Sequence, residues 1–277
     1  MYGISDILYL LIYRVFGYRK KVVMNNLMTA FPEKTEKERT KIANEMYHQL
    51  FDTFLETIKL ISISKKELNK RFKCNYEVVN ELFESGQNVQ LHGGHFFNWE
   101  YVNLAYCANI IYPFIGVYQS MTNETFDRIM YKMRGKFGTH LIPVNNFNRE
   151  FIKLSRGRYV LTLGGDQNSS NMENAYWIPF FGKMAPFVTG PERMSVAKDT
   201  AIVFSTTYRI KRGYYQSELS LFTKEPKTFA KGKITIAFRD FLENQIRQRP
   251  SNYLWTHKRW KRQYDAEKYK DMTLEDN

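Results

Sequence analysis

Residues 91–100 read Leu-His-Gly-Gly-His-Phe-Phe-Asn-Trp-Glu, and this stretch decides how the rest of the chain is interpreted. A short apolar run leads into two glycines, and a segment that favours a helix follows them. Strands that pass through a glycine turn into a helix are the building blocks of α/β folds. The stretch therefore predicts one strand-to-helix unit of a mainly parallel sheet flanked by helices.

The same alternation continues on both sides of this stretch. From about residue 72 onward, short apolar runs are separated by stretches with helical character, which is typical of a largely parallel sheet. Strands are predicted near 88–92, 112–118, 139–144, 159–163 and 201–208, and helices over 98–108, 123–136, 147–156, 190–198 and 231–247. We therefore expect an α/β domain over 71–263, followed by a polar tail over 264–277.

The first 70 residues have a different, helical pattern. Thr35 and Glu38 have the spacing of a capping box, which begins a helix. Apolar residues then recur at every fourth position and predict a stripe that faces the core: Ile42, Met46, Leu50, Phe54 and Ile58. Residues 1–70 are therefore predicted to form a helical, membrane-proximal N-terminal region.

The composition limits the class of partner. The 277 residues include 41 Lys and Arg against 28 Asp and Glu, a net charge of +13, and 16% are aromatic. Cations combined with Tyr and Trp suit a membrane surface better than they suit nucleic acid. Cys74 and Cys107 form no Cys-x-x-Cys pattern, so neither a disulfide framework nor a thiolate zinc site is predicted.

The start of the chain has two interpretations. Its longest apolar run, Ile7 to Tyr13, is far shorter than the roughly 18 residues that a membrane-spanning helix needs. A basic group nevertheless follows the apolar beginning, as at the end of a membrane-associated segment: Arg14, Arg19, Lys20 and Lys21. We expect either a chain trimmed after such a segment or an amphipathic first helix that packs on the domain.

His95 is the main candidate for catalysis. On a continuous helix, His95 and Glu100 would lie about 140° apart, so they can meet only if His95 precedes the helix. Asn98 is a suitable N-cap, which places Glu100 in the first turn, where its carboxylate can turn back toward the loop. A carboxylate there would orient the imidazole, and His95 would act as a general base toward a hydroxyl group.

Two other interpretations of these residues remain open. In the first, Gly93 and Gly94 only form a turn and Glu100 is a solvated acid. In the second, His92, His95 and Glu100 bind a metal, but His-x-x-His on a loop lacks the helical presentation of known zinc motifs. Serine-nucleophile, P-loop and Rossmann chemistry have no support, because their motifs are absent from the sequence. Direct transfer of a group to an activated acceptor remains.

Polar residues also follow the other predicted strands. Open α/β sheets bind ligands beyond the carboxyl ends of their strands, so these residues are expected near His95. They are Gln119 and Ser120, Asn145, and Gly164-Gly165-Asp166-Gln167. Asp166 is either a supporting acid, an acceptor for a substrate hydroxyl or a capping residue. Arg134 either grips a phosphate or carbonyl group or lies on a solvated face.

A basic and aromatic cluster lies near the end of the chain. Residues 247–262 contain no acid and mix Trp255 and Trp260 with cations that include His257 and Arg259. This mixture suits a membrane interface, a phosphorylated lipid headgroup or stacked nucleobases. Nucleic-acid binding is the more distant alternative, because no recognition helix, zinc finger or RNP-like pattern is present.

The segment from His95 to Glu100 resembles the His-x4-Asp/Glu motif of glycerophospholipid-type acyltransferases, in the form typical of the late acyltransferases of lipid A biosynthesis. Further blocks follow in that family's order over roughly 90–261: Gly116-Val117-Tyr118 leading to Arg134, Gly165-Asp166-Gln167, Phe180-Phe181-Gly182 with Pro186 and Pro191, and residues 255–261. The Asn25-Asn26-Leu27 and Phe31-Pro32 pattern is also similar. Two departures are Gln119, where many members carry Arg, and the missing N-terminal transmembrane helix.

The resemblance implies a fold like that of glycerol-3-phosphate acyltransferase, with His95 and Glu100 as the catalytic dyad. It implies substrate-binding or supporting roles for Arg134 and Asp166, and we group with them Gln167, Gln119, Asn98, His257 and Arg259. The oxyanion would be stabilised by the Gly93-Gly94 backbone or by Arg134, two candidates that the sequence does not rank.

The implied reaction moves a fatty acyl group from acyl carrier protein, or from acyl-CoA, to a hydroxyl of a lipid A precursor. The expected place is the cytoplasmic face of a bacterial inner membrane, and the expected partners are the donor, an anionic lipid acceptor and the membrane surface. No nucleic acid, metal or redox cofactor is expected. An enzyme of the same fold that acylates an aminolipid or a lysophospholipid is the nearest alternative.

Overall fold

The computed structural model describes residues 2–169 and 171–274, except for the side chain of Arg14. The last three residues of the predicted polar tail and one cation of the predicted basic group therefore lie outside the described part. The N-terminal region is helical, as predicted. Its elements are α1 (Tyr2–Leu8), a π-helical segment (Tyr9–Val15), α2 (Lys20–Ala30), α3 (Glu36–Leu60) and α4 (Lys65–Arg71). Among the described residues, no helix is long and apolar enough to cross a membrane.

A seven-stranded sheet with flanking helices follows, which confirms the α/β class. In chain order, the strands and helices of this region are β1 (Phe72–Cys74), α5 (Glu77–Glu84), β2 (Val89–Gly93), α6 (Trp99–Asn109), β3 (Phe114–Tyr118), α7 (Glu124–Arg134), β4 (His140–Pro143), α8 (Phe147–Leu154), β5 (Val160–Gly164), β6 (Ala175–Phe180), β7 (Lys183–Val188), α9 (Gly190–Lys198), β8 (Ala201–Lys211), β9 (Tyr214–Thr223) and α10 (Lys233–Gln248). Strands β6 and β7 form a separate hairpin outside the seven-stranded sheet. The strand order is β1-β9-β8-β2-β5-β3-β4, and every pairing in this sheet is parallel except that of β8 with β9.

The sequence missed β1, the β6–β7 hairpin and β9. Strand β9 has a buried inner face formed by Tyr215, Ser217 and Leu219, whereas the alternating residues Glu218 and Ser220 are exposed. A buried serine breaks the apolar alternation that predicts a half-buried strand. Ser217 is satisfied by hydrogen bonds to Thr207 and Tyr106, which only the tertiary structure provides.

The predicted stripe on α3 is correct at its beginning and wrong at its end. Ile42, Met46 and Leu50 are buried, but Phe54 and Ile58 have exposed fractions of 52% and 63%. Four residues advance a helix by about 400°, so a strict repeat of four rotates about 40° per step. The later positions have therefore turned away from the core.

The N-terminal helices share one core with one face of the sheet. Leu27 of α2 and Met46 of α3 pack in the same buried cluster as Phe204 of β8 and Phe238 of α10. Val203, the neighbour of Phe204, belongs to the cluster on the opposite face. The helical region is thus packed directly on the sheet that carries the site.

Side chains of the N-terminal region also hold the C-terminal segment. The Asn26 amide donates to the backbone oxygens of Trp255 and His257, at 2.8 and 2.7 Å. Arg19 donates to the Thr256 oxygen at 3.0 Å, and Gln49 donates to the Ser251 oxygen at 2.9 Å. These bonds satisfy backbone groups that would otherwise be left unpaired in a partly buried loop.

We expect Asn26→Ala to lower the free energy of unfolding by about 3 kcal/mol, because it leaves two carbonyl groups of the C-terminal segment without a donor. Urea denaturation followed by circular dichroism measures this change. The matched control is Asn25→Ala at the neighbouring exposed position, where the change should stay within about 0.5 kcal/mol. Equal effects of the two substitutions would contradict the assigned role of Asn26.

Candidate active site

Two glycine turns lie side by side at the carboxyl edge of the sheet. Strands β2 and β5 are parallel neighbours, and Gly93 is paired with Gly164 in their register. Each of these glycines is followed by a second glycine and then by a polar residue, His95 after β2 and Asp166 after β5. Equal offsets from a paired position place the two polar side chains at the same level, just beyond the sheet edge.

The second glycine of each turn is required by the packing of α10. A Cβ atom on Gly94 would lie 2.5 Å from Leu242 Cδ1, and one on Gly165 would lie 2.9 Å from Phe238 Cε1. Both contacts are closer than real Cβ atoms approach. Helix α10 therefore supports both turns from below, and only glycine lets it do so.

His95 and Asp166 make two hydrogen bonds. His95 Nδ1 lies 2.6 Å from Asp166 Oδ1, and the His95 backbone N–H donates to Asp166 Oδ2 at 2.9 Å. The Asp166 side chain is fully buried, whereas 34% of the His95 side chain is exposed. Tyr253 also hydrogen bonds to Asp166. The carboxylate thus fixes both the backbone and the ring of His95 while the ring stays accessible.

The two side chains shift each other's pKa in opposite directions. Burial raises the pKa of Asp166, but the charge and hydrogen bonds of His95 outweigh burial and lower that pKa to about 2. Burial also opposes the charged form of His95, but the Asp166 carboxylate outweighs it and raises the pKa of the imidazole. Asp166 therefore stays ionised at neutral pH and stabilises a proton on His95.

Glu100 has a different partner from the one that the sequence predicts. Arg134 Nε donates to Glu100 Oε2 at 2.9 Å, and Arg134 Nη2 donates to Glu100 Oε1 at 2.5 Å. The N-cap at Asn98 does place Glu100 in the first turn of α6, but there it meets the end of α7. Among the described residues, the carboxylate bonded to the His95 ring is that of Asp166. A catalytic role for Glu100 stays a prediction.

His95 and the Glu100–Arg134 pair border one cavity of about 340 Å³. Its wall includes His95, Glu100 and Arg134, together with Gln119. Apolar side chains supply much of the remaining wall: Leu91, Phe96, Val102, Met121 and Leu163. A cavity of this size and mixed chemistry is typical of a small-molecule site.

Other predicted site residues support the loops around this cavity. Asn98 is fully buried, and its side-chain oxygen accepts from Glu100 N at 3.1 Å. Gln167 is half-buried and lies outside the cavity wall. His257 and Arg259 both contact Asn168, two residues after Asp166: His257 Nε2 accepts from its backbone N–H, and Arg259 Nη1 donates to its side-chain oxygen.

The environments of His257 and Arg259 differ from those of surface cations. Burial, reinforced by the Arg259 charge, lowers the pKa of His257 to about 4, so this ring is neutral at pH 7. Arg259 is 1% exposed and lies over the Phe187 ring, 4.3 Å from its centre, and burial lowers its pKa to about 10. Both residues therefore stabilise the loop after Asp166 through their hydrogen bonds to Asn168. Direct contact of His257 and Arg259 with substrate stays a prediction.

The metal interpretation finds no donor set in the described residues. His92 is 3% exposed, and its Nε2 lies 3.0 Å from the side-chain amide of Gln90. Burial lowers the pKa of His92 to about 3. Within residues 2–169 and 171–274, no group of three or more His, Cys, Asp or Glu side chains is placed to hold a metal ion.

Sequence reasoning missed Tyr253 as a neighbour of the site. Backbone bonds join its segment to the loop of His95: Leu254 N donates to His95 O, and Phe97 N donates to Asn252 O, both at 3.1 Å.

One signal for the His95–Asp166 pair was present in the sequence, because both predicted strands are followed by Gly-Gly and then by a polar residue.

We expect Asp166→Asn to lower the pKa of the His95 imidazole below its ordinary value near 6.5, because burial persists while the carboxylate that raises the pKa is gone. In the native protein the same imidazole should titrate above that value. Nuclear magnetic resonance of ¹⁵N-labelled histidine, followed against pH, measures both pKa values.

Glu100→Gln is the matched control for this titration, since it removes a second carboxylate from the same cavity wall. It should leave the titration of His95 close to that of the native protein. If Glu100→Gln lowered the pKa and Asp166→Asn did not, the pairing in the structure would be the wrong one.

The chain is similar in sequence to a family of known proteins. Residues 6–262 match the family described as bacterial lipid A biosynthesis acyltransferase. The chain is 21% identical over 247 residues to the lipid A biosynthesis palmitoleoyltransferase of Escherichia coli strain K12, a match covering 88% of this chain and 79% of that protein. The lipid A biosynthesis acyltransferase of Shigella flexneri matches to the same extent. The chain therefore belongs to the bacterial lipid A biosynthesis acyltransferase family and is an acyltransferase.

Proposed function

We propose that this protein transfers a fatty acyl group from the thioester of acyl carrier protein to a hydroxyl group of a lipid A precursor, with His95 as the general base. The observation that carries the proposal is the 2.6 Å bond between His95 Nδ1 and the buried Asp166 carboxylate at the wall of an acyl-sized cavity. Because Nδ1 is bonded to Asp166, Nε2 is the ring nitrogen left to accept a proton.

The reaction proceeds in two steps. His95 Nε2 takes the proton of the acceptor hydroxyl as its oxygen attacks the thioester carbonyl carbon, and a C–O bond forms. The tetrahedral intermediate then collapses, the C–S bond breaks, and the imidazolium returns the proton to the departing sulfur as a thiol. Asp166 stabilises the imidazolium between these steps. The ester and the free thiol leave His95 neutral again.

Arg134 is the positioned cation of the site. Its guanidinium lines the cavity and is held by three hydrogen bonds to Glu100, which supports a role in stabilising the oxyanion of the intermediate. The sequence left this role open between Arg134 and the Gly93-Gly94 backbone. Glu100 fixes the orientation of the guanidinium and still leaves N–H groups to donate to the oxyanion, since Arg carries five N–H donors.

The acyl chain occupies the apolar part of the cavity. Leu91, Val102 and Met121 line it, and each methylene that they bury contributes about 0.8 kcal/mol. The net charge of +13 favours an acidic carrier protein as donor, and acyl-CoA is the alternative. Salt should therefore slow the encounter with the carrier protein more than it slows the chemical step.

The headgroup of the acceptor lies in a second, more open groove of about 920 Å³. It shares Val117, Leu163 and Gly164 with the catalytic cavity, so a molecule in the groove reaches His95. Side-chain amides and two guanidiniums line it, which suits a phosphorylated sugar: Asn145, Asn146, Asn148, Asn174, Arg149 and Arg193.

A membrane surface supplies the acceptor. Exposed apolar side chains on the N-terminal helices lie close in sequence to Arg19, Lys20 and Lys21, a combination that suits the surface of an anionic bilayer. They are Ile4, Ile7, Leu10, Leu11, Val15 and Phe16. We place the protein at the cytoplasmic face of a bacterial inner membrane, where it meets both donor and acceptor.

We expect His95→Ala to lower kcat by about 10²–10⁴ while the fold is retained, because the general base is lost. The assay supplies labelled acyl carrier protein and a lipid A precursor in anionic vesicles, and mass spectrometry reads the acylated lipid. Circular dichroism checks the fold of the variant.

Parallel reactions separate the alternatives. Acyl-CoA replaces the carrier protein in one, an aminolipid or a lysophospholipid replaces the precursor in others, and zwitterionic vesicles replace anionic ones in the last. Faster acylation of another lipid class would reassign the acceptor, and near-native turnover by the alanine variant would remove His95 from the mechanism.

We expect Gly190→Trp to raise the KM for the acceptor about tenfold or more, with the KM for the donor little changed, because the indole fills the groove. Gly190 lines the groove, and no atom lies within 4 Å of a Cβ placed on it, so the side chain is accommodated. Steady-state kinetics with each substrate varied in turn measures the two constants.

Gly157→Trp is the matched control, since Gly157 also has open space where a Cβ would lie and is outside both cavities. It should change neither constant. A rise in the donor KM instead of the acceptor KM would show that the groove receives the donor.

A further inference from the structure

A fully buried carboxylate near the C-terminal end of α3 has no part in the mechanism above. Glu56 is 0% exposed, and three neighbours donate hydrogen bonds to it. Tyr215 OH and Asn98 Nδ2 donate to Oε2 at 2.6 and 3.1 Å, and Tyr2 OH donates to Oε1 at 2.9 Å. We call these four residues the Glu56 network. Three elements and the loop before α6 meet at this one side chain.

One end of the network is the beginning of α6. Asn98 donates to Glu56 through its side-chain nitrogen and accepts from Glu100 N through its side-chain oxygen, at 3.1 Å in both cases. Glu100 in turn holds Arg134 at the cavity wall. Glu56 therefore fixes the rotamer of the residue that caps the helix carrying Glu100.

The other end of the network is α1. Tyr2 is on the side of α1 that faces α3, whereas Ile4, Ile7 and Leu11 are 56%, 57% and 47% exposed. Helix α1 and the π-helical segment after it thus have one apolar side toward solvent, and on the other side the hydroxyl group of Tyr2 contacts the buried Glu56 carboxylate. A change in how α1 is seated reaches Glu56 through a single hydroxyl group.

We propose that Glu56 is a positioning residue that couples the seating of α1 to the geometry of Asn98, Glu100 and Arg134. The proposal rests on the proposed function for its kinetic consequence. A lipid surface that engages the exposed side of α1 would stabilise the docked helix, and through Tyr2 and Glu56 it would hold the first turn of α6 in its active position.

A neighbouring contact provides an internal comparison. Ser5, one turn after Tyr2, donates to Asp52 at 2.6 Å, and Asp52 is also fully buried. The other partners of Asp52 are Arg209 and Arg212, which belong to β8 and to the turn that follows it. Ser5 and Tyr2 therefore anchor the same helix to the same partner, but only Tyr2 contacts the Glu56 network.

The first experiment compares Tyr2→Phe with Ser5→Ala. Each variant removes one hydroxyl group that donates to a buried carboxylate at the interface of α1 and α3. We expect Tyr2→Phe to lower kcat about tenfold, with KM values changed less than twofold, because the site is displaced without loss of binding groups. Ser5→Ala should leave kcat unchanged. Equal losses in both variants, or none in either, would overturn the proposal.

The second experiment exchanges the carboxyl group of Glu56 and the amide of Asn98, which form the contact with the beginning of α6. Glu56→Gln and Asn98→Asp should each lower kcat, since the first places an NH2 donor among groups that themselves donate and the second brings two carboxyl groups together. Aspartate keeps an oxygen for the N-cap. The double variant restores an amide opposite a carboxylate, so we expect its kcat to exceed that of either single variant. If the kcat of the double variant fell by the product of the two single-variant decreases, the two residues would act independently, which would contradict a direct coupling.

Hydrogen exchange tests the coupling without any substrate. In Tyr2→Phe, the amide of Glu100, whose acceptor is Asn98, should exchange faster than in the native protein, whereas Ser5→Ala should leave it unchanged. Unchanged exchange at Glu100 in Tyr2→Phe overturns the proposal. Absence of acyl transfer by the native protein, combined with faster exchange in that variant, would reject the proposed function and keep the coupling.

Discussion

The parallel register of β2 with β5 determines the distance between the two groups at the centre of the site. Gly93 and Gly164 are paired, and His95 and Asp166 each follow two residues later. A shift of one residue would move one side chain to the other face and separate the imidazole from its carboxylate. The 2.6 Å bond between them is therefore a property of the sheet as a whole, and the loops only have to keep the two turns tight.

A buried carboxylate such as that of Asp166 is stable only when hydrogen-bond donors or an opposite charge surround it. Asp166 accepts from the backbone and the ring of His95, and Tyr253 completes its surroundings. Phe238 and Leu242 of α10 close the space beneath both turns, where each glycine makes room. Removal of one such partner leaves a carboxylate unpaired away from water, which costs several kcal/mol in general. The site and the core beneath it are consequently one structural unit.

The sequence was most informative where structure is local. The strands around the site, the capping box at Thr35 and the N-cap at Asn98 follow from propensity and spacing, and all are present. The partner of His95 was harder to predict, because spacing along a chain relates His95 to Glu100, whereas Asp166 lies 71 residues away and approaches only through strand register. Strand β9 and the outward turn of Phe54 were missed for a similar reason, since tertiary contacts satisfy Ser217 and helix rotation moves a strict repeat off the core.

The bonds from Asn26 to the backbone of residues 255 and 257 join positions more than two hundred residues apart, and one pair is separated by 229. The segment that they hold also reaches the loop of His95 through Leu254. During synthesis, these contacts of Asn26 can form only after residues 255–257 have been added to the chain. A chain that has been synthesised only as far as Asp166 contains the imidazole and its carboxylate, but it lacks the segment that binds the loop of His95, so this loop gains its support late in folding.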